Sequence, residues 1–163
     1  MTGTAWDVAS EQGFMDCYRA TFPEVYRYTA MLCGVDRSLA EDVVQDVYMV
    51  ALTKARDGRL ASCSTGYLVV AARHRFLDRV RAATREERRL RLVSSTPDEP
   101  VVAALPPQLG ELPDRERAAL VLRYVDDHTV AQVGAELGIS THAAESLLGR
   151  ATRRLRHPEV RDA

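Results

Sequence analysis

The side chains of this 163-residue chain that could move protons, bind metals or attack carbonyl carbon are poorly placed for any of these tasks. His74, His128, His142 and His157 are scattered, no glycine-rich loop could cradle a phosphate, and no G-x-S-x-G nucleophile motif occurs. Asp126, Asp127 and His128 stand together but read as a polar turn between two helices. Cys17, Cys33 and Cys63 are odd in number and lack metal-type spacing, so neither a disulfide framework nor a zinc site is expected. Cys17 and Cys33 fall on apolar helical positions, where a thiol serves as a small packing group. The pattern predicts no enzyme, no metal and no cofactor.

The spacing does suit nucleic-acid recognition. Residues Thr129 to Arg156, TVAQVGAELGISTHAAESLLGRATRRLR, spell a short helix, a tight Gly-Ile-Ser turn and a second helix with basic later turns, as a helix-turn-helix requires. Ala131, Val133, Leu137, Ile139, Ala144, Leu147 and Leu148 would fix the two helices at an angle. Thr141, His142, Glu145, Ser146, Arg150 and Arg153 could then face DNA, with Arg154 in the same basic block. The bland alternative is a helical hairpin with a solvated charged face. A second constellation, Tyr67, Arg73, His74, Arg75, Phe76, Arg79 and Arg81, interleaves aromatics with arginines, a combination suited to stacking unpaired bases while guanidinium groups track the backbone. Tyr67 and Phe76 fit a core equally well.

Helices must position these groups. Phe14, Tyr18, Phe22, Val25, Thr29 and Leu32 recur at three- and four-residue spacing and predict a helix over about 14–33, kinked or broken at Pro23 and stopped by Gly34. Asp36, or Ser38 with Glu41 in a capping box, would open a second helix running to about Arg56. Its inner face holds Ala40, Val43, Val44, Val47 and Ala51; its outer face holds Glu41, Asp42, Gln45, Asp46 and Met49. A turn-rich stretch, 57–66, precedes a third helix marked by Tyr67, Leu68, Ala71, Ala72, Phe76, Leu77 and Val80. No segment before residue 92 alternates as a strand does. Residues 93–110 carry Pro97, Pro100, Pro106 and Pro107 and no basic residue, which favours an extended linker. Pro113 suits the first turn of the next helix, with Ala118, Leu120, Val121, Leu122 and Tyr124 as its apolar side. Thr129 with Gln132 forms a further capping box, Gly138 ends that helix, and Ser140 caps the last.

Charge is segregated. The net charge is −1, yet eight arginines lie between Arg73 and Arg91 against Asp78, Glu86 and Glu87. Between Asp36 and Met49 the sign reverses, with four acids against Arg37. Such separation suits both an anionic and a cationic partner. No apolar run approaches the roughly 18 residues of a membrane span, and the N-terminal residues lack the pattern of a signal peptide, so the expected location is cytoplasmic with no membrane insertion.

The stretch DRSLAEDVVQDVYMVALTKA, residues 36–55, resembles the polymerase-binding helix of region 2 in extracytoplasmic-function (group 4) sigma factors, and LPDRERAALVLRYVDDHTVAQVGAELGIS resembles their region 4. The resemblance runs collinearly over about residues 14–156. It implies an all-α protein of two small helical domains: an N-terminal tail (1–13), region 2 (14–92), a linker (93–110), region 4 (111–157) and a C-terminal tail (158–163), without regions 1.1 and 3. It further implies that Glu41, Asp42, Gln45, Asp46 and Met49 dock on the clamp helices of core RNA polymerase, with the polymerase flap as a further contact. The third helix, with Tyr67, Arg73, His74, Arg75, Arg79 and Arg81, would melt the −10 promoter element, and the helix-turn-helix would read the −35 element. The linker would lie in the RNA exit path, and an anti-sigma factor is a common partner in the family.

The chain departs from the family pattern at several positions. Tyr67 stands where a tryptophan is common and His74 where an asparagine is. AAESLL puts Glu145 and Leu147 where basic residues are frequent, which makes the promoter sequence read here atypical. Two rival functions remain open: a helix-turn-helix regulator acting without being a polymerase subunit, and a sigma mimic that binds polymerase without initiating.

Overall fold

The computed structural model describes residues 4–90 and 107–156. Most of the expected linker therefore lies outside the described residues. The fold is all-α, with one small ribbon: β1 (Ala5–Asp7), α1 (Glu11–Cys33), α2 (Arg37–Arg56), β2 (Ser62–Ser64), α3 (Thr65–Leu90), α4 (Pro107–Gly110), α5 (Asp114–Tyr124), α6 (Val130–Leu137) and α7 (Thr141–Arg156). The described residues form two compact units, one comprising those up to Ala30 together with Arg37–Phe76, the other Met31–Asp36 together with those from Leu77 on.

In the first unit, α1, α2 and the start of α3 bury Phe14, Cys17, Val25, Val43, Val47, Leu68 and Ala72 against one another. The inner face expected for α2 is buried throughout. Two threonines inside α1 would leave hydroxyls in an apolar core, and each is satisfied locally: Thr21 donates to the Cys17 carbonyl at 2.7 Å and Thr29 to that of Val25 at 2.8 Å. The Thr21 hydroxyl also meets the Tyr48 hydroxyl at 2.7 Å, tying α1 to α2.

Three local expectations change. α1 runs unbroken through Pro23, because the buried side chains on either side of it, Thr21 and Val25, hold the helix to its neighbours despite the missing amide. α2 opens at Arg37, so Ser38 lies within the helix, and Glu41 instead pairs with the Arg37 Nε at 3.2 Å. The stretch 57–66 contains a strand: β2 pairs antiparallel with β1, Trp6 opposite Cys63, and the Val8 amide extends the ribbon to the Ala61 carbonyl at 3.0 Å. Three-residue strands are too short to show alternation in sequence.

The second unit packs α7 across α5 and α6. Ala118, Val121, Leu122, Val133, Ala144 and Ala151 are fully buried there. Its centre is polar as well. Arg117, 2% exposed, donates from Nε to the Leu32 carbonyl at 2.7 Å and from Nη2 to the Cys33 carbonyl at 2.9 Å, and reaches the Leu112 and Gly110 carbonyls from Nη1 at 2.7 and 3.3 Å. Its fifth partner is the Asp114 carboxylate. The orphan carbonyls at the end of α1 thus find their donors on α5. Gly34 makes this possible: it holds φ at +65°, and a Cβ there would sit 2.5 Å from the guanidinium.

Candidate nucleic-acid and protein interfaces

The helix-turn-helix is built by its caps. The Gln132 amide donates to Thr129 Oγ1 at 3.2 Å while Gln132 Oε1 accepts from the Thr129 amide at 2.8 Å, the reciprocal box expected from sequence. Gly138 closes α6 in the left-handed region, the Ile139 amide returns to the Gly134 carbonyl at 2.9 Å, and Ser140 Oγ accepts from the Ala143 amide at 3.2 Å to start α7. Two arginines cover the carbonyl end of α6: Arg81 donates from Nε to Glu136 O at 2.9 Å, and Arg115 donates to Leu137 O at 3.3 Å. The interior of the motif follows the expected list at Val133, Leu137, Ala144, Leu147 and Leu148, whereas Ala131 is exposed. Tyr124, read as apolar lining of α5, is 66% exposed at its end, with Arg123 stacked on its ring.

Thr141, His142, Glu145, Ser146, Arg150, Arg153 and Arg154 are all exposed on α7. His142, Glu145, Ser146 and Arg153 share one face by helical spacing, with His142 Nδ1 3.7 Å from the Glu145 carboxylate. Arg150 and Arg154 form a flank beside α5, their Nε atoms 3.8 and 3.7 Å from the buried carboxylate of Glu116. Glu116 was not among the expected site residues. Its sequence signal is the alternation Arg115-Glu116-Arg117 ahead of an apolar run, since charges that open an apolar helix must be paired if they are buried.

On α3, Phe76 is fully buried and Tyr67 is 37% exposed, so the two aromatics part company: the first is core, the second surface. Lys54 donates to the Tyr67 hydroxyl at 3.1 Å and lies 5.8 Å from its ring centroid. Tyr67, Val70 and His74 make an exposed strip at helical spacing, with Arg73 half-buried beside it. Arg75 is exposed and pairs with Asp46 at 3.4 Å. Arg79 is exposed in the second unit, where Arg81, half-buried, is engaged by Asp78 at 2.8 Å and by α6.

The outer residues of α2 divide in two. Glu41, Gln45 and Met49 line a cleft of about 510 Å³ whose other wall is the row Phe14, Tyr18, Phe22 and Tyr26 of α1, with Tyr48 at its base. Asp42 is exposed outside this cleft and Asp46 faces Arg75. Tyr18 packs edge-on to Tyr48 at 4.8 Å and against Phe22 at 5.2 Å, and Phe22 stacks on Tyr26 at 5.7 Å. The spacing places Phe14, Tyr18 and Phe22 on a buried stripe; Phe14 is buried, while Tyr18, Phe22 and the neighbouring Tyr26 are only partly covered. Burial pushes the Tyr48 hydroxyl up to about 12, and likewise the Cys33 and Cys63 thiols, while Cys17 is raised by the same cause. All three cysteines are buried free thiols, in keeping with a packing role. No described helix is long and apolar enough to cross a membrane, and no group of three or more potential metal ligands occurs among the described residues.

Residues 108–157 match the family model "Sigma-70, region 4". The chain is 46% identical over 48 residues to an RNA polymerase sigma-F factor of Kitasatospora aureofaciens, covering 29% of this chain and 16% of that protein. It is 44% identical over 52 residues to the sigma factor SigF of Mycobacterium tuberculosis (strain ATCC 25618 / H37Rv), covering 32% of this chain and 20% of that protein. The chain thus spans a fifth or less of the length of these relatives. Among solved structures, the sigma factor RpoE in complex with the anti-sigma factor NepR from Bartonella quintana aligns over 91% of this chain and 98% of that one, at 22% identity and a TM-score of 0.49. CnrH in complex with the cytosolic domain of CnrY aligns over 96% and 94%, at 21% identity and a TM-score of 0.45. Residues 108–157, capped and packed as a helix-turn-helix, are thus the part of the chain that is similar to sigma-70 region 4.

Proposed function

We propose that this chain is an alternative sigma factor of the extracytoplasmic-function type, which binds core RNA polymerase and directs promoter-specific initiation through binding energy alone. The observation that carries the reading is the pairing of a region 4 match over residues 108–157 with a separate helical unit whose α2 bears an acidic and apolar outer face. In this reading residues 14–92 act as region 2, 93–110 as linker and 111–157 as region 4. Glu41, Asp42, Gln45, Asp46 and Met49 meet the polymerase clamp, where complementary charge speeds encounter and the cleft beside Met49 adds apolar contact. Tyr67 and His74, exposed on α3, meet unpaired −10 bases with Arg73 and Arg75 along the backbone, whereas Arg81, expected from sequence at the same task, is engaged by Asp78 and the end of α6. The α7 face from Thr141 to Arg153 enters the −35 major groove, the amino end of the helix offering amides to phosphate. The residues that differ from the family, Glu145 and His142, set base preference, since a carboxylate can accept from cytosine. An anti-sigma factor is the regulator this reading implies, and the site of action is the cytoplasm.

Run-off transcription with core polymerase on a library of promoter fragments tests the proposal. Specific starts sharing two upstream elements are expected. Polymerase binding without transcripts would indicate a mimic, and duplex binding without polymerase an ordinary regulator. Replacing Asp42 and Asp46 by Arg should abolish polymerase binding; normal holoenzyme formation by that variant would overturn the docking assignment.

A further inference from the structure

The buried carboxylate of Glu116 on α5 faces the DNA-reading helix α7. Its side chain is 7% exposed, it faces the Nε atoms of Arg150 and Arg154 at 3.8 and 3.7 Å, and its Oε2 has no hydrogen bond among the described residues. A carboxylate taken out of water at this depth needs compensating charge, and two guanidinium groups one helical turn apart supply it. Their side chains are still 56% and 42% exposed, so engagement by the Nε edge leaves much of each group within reach of solvent or phosphate. The Glu116 carboxylate thus offsets part of the positive charge on this flank of α7.

We propose that Glu116 is a positioning residue for duplex reading: it anchors Arg150 and Arg154 in place before DNA arrives, and it withholds one positive charge from the phosphates, so that α7 selects among sequences instead of gripping any duplex. Phosphate attraction is blind to sequence and sets non-specific affinity, whereas a guanidinium held in advance keeps the protein in register over the base edges. Removing the carboxylate therefore raises non-specific binding and lowers discrimination together. Loss of a purely structural group would instead weaken both alike. The inference rests on the sigma-factor reading.

The test uses full-length protein in holoenzyme with wild-type, Glu116→Gln and Glu116→Asp chains, measuring affinity for a promoter recovered by run-off and for the same duplex with its −35 element scrambled, from low to moderate salt. Glu116→Gln preserves shape and removes charge. It is expected to bind the scrambled duplex several-fold more tightly, to steepen the slope of log affinity against log salt by about one, and to lower the promoter-to-scrambled ratio several-fold. Glu116→Asp, which restores the charge, is expected to return the slope to the wild-type value. An unchanged ratio in Glu116→Gln, or equal weakening on both duplexes with a lowered melting temperature, overturns the inference. A wild-type holoenzyme that shows no preference for any −35 sequence overturns the sigma-factor reading itself, and this inference with it.

Discussion

The two units meet the same physical demand, satisfying polar groups inside a small core, with different chemistry. The first uses hydroxyls: Thr21 and Thr29 return to their own helix, and Thr21 joins Tyr48 across to α2. The second uses guanidinium groups: Arg117 gathers four carbonyls and a carboxylate, Arg81 and Arg115 cover the end of α6, and Arg150 and Arg154 flank Glu116. Neutral hydroxyls leave the surface of the first unit to be shaped by its acidic residues and aromatic cleft. In the second unit several arginines already have protein partners, so a count of basic residues overstates the charge its surface presents to an outside partner.

Breaking the guanidinium side should cost most. Arg117→Met leaves the Leu32 and Cys33 carbonyls and Asp114 without their donor, and the loss expected from removing one member of a buried charged network is about 3–5 kcal/mol. Urea denaturation checks it, and a loss under about 1 kcal/mol would show that water replaces the guanidinium readily. On the hydroxyl side, Thr21→Val strands the Tyr48 hydroxyl and should cost about 1–3 kcal/mol in the same measurement. If both variants lose equally, the contrast between the units fails.

Alkaline pH sharpens the same contrast. Burial lifts Cys63 and Tyr48 in the first unit and Cys33 in the second to about 12, from ordinary values of 9.0 for the thiols and 10.0 for the phenol. In the unfolded chain these groups ionise at their ordinary values; in the folded chain they hold their protons longer. The unfolded state therefore gives up protons first, and stability should fall as pH rises from about 9 toward 12. Denaturation midpoints at pH 8 and 10 would show the decline, and Cys63→Ala should flatten it. The smallest effect is expected at Arg153, exposed on the face of α7 away from Glu116. Arg153→Gln should weaken duplex binding uniformly across sequences and reduce the salt slope by about one, read in titrations at several salt concentrations.

Much of this architecture was legible in the residues. The helix-turn-helix could be read because its signals are local: Thr129 with Gln132, Gly138 and Ser140 each act on backbone within four positions. The inner face of α2 was legible for the same reason. Pro23 does not break α1, because its cost is local while the packing that holds the helix together is not. The β1–β2 ribbon joins residues far apart in sequence through strands too short to carry a pattern. The charged residues were the hardest to place. Whether Arg81, Arg150 or Arg154 is engaged within the protein depends on Glu136 and Glu116, which only the fold brings alongside them, and the same holds for Tyr67 and Phe76, nine residues apart on α3 but on opposite sides of the line between surface and core.

The close approach of Gly34 to Arg117 has a consequence for how this chain can change over generations. Any side chain at position 34 collides with a guanidinium that α1 needs for its last carbonyls, and adopts a strained backbone as well. Neither position can drift alone. Selection from a library randomised at residues 34 and 117 together should return glycine at 34 wherever residue 117 is arginine, linking two positions 83 residues apart in sequence.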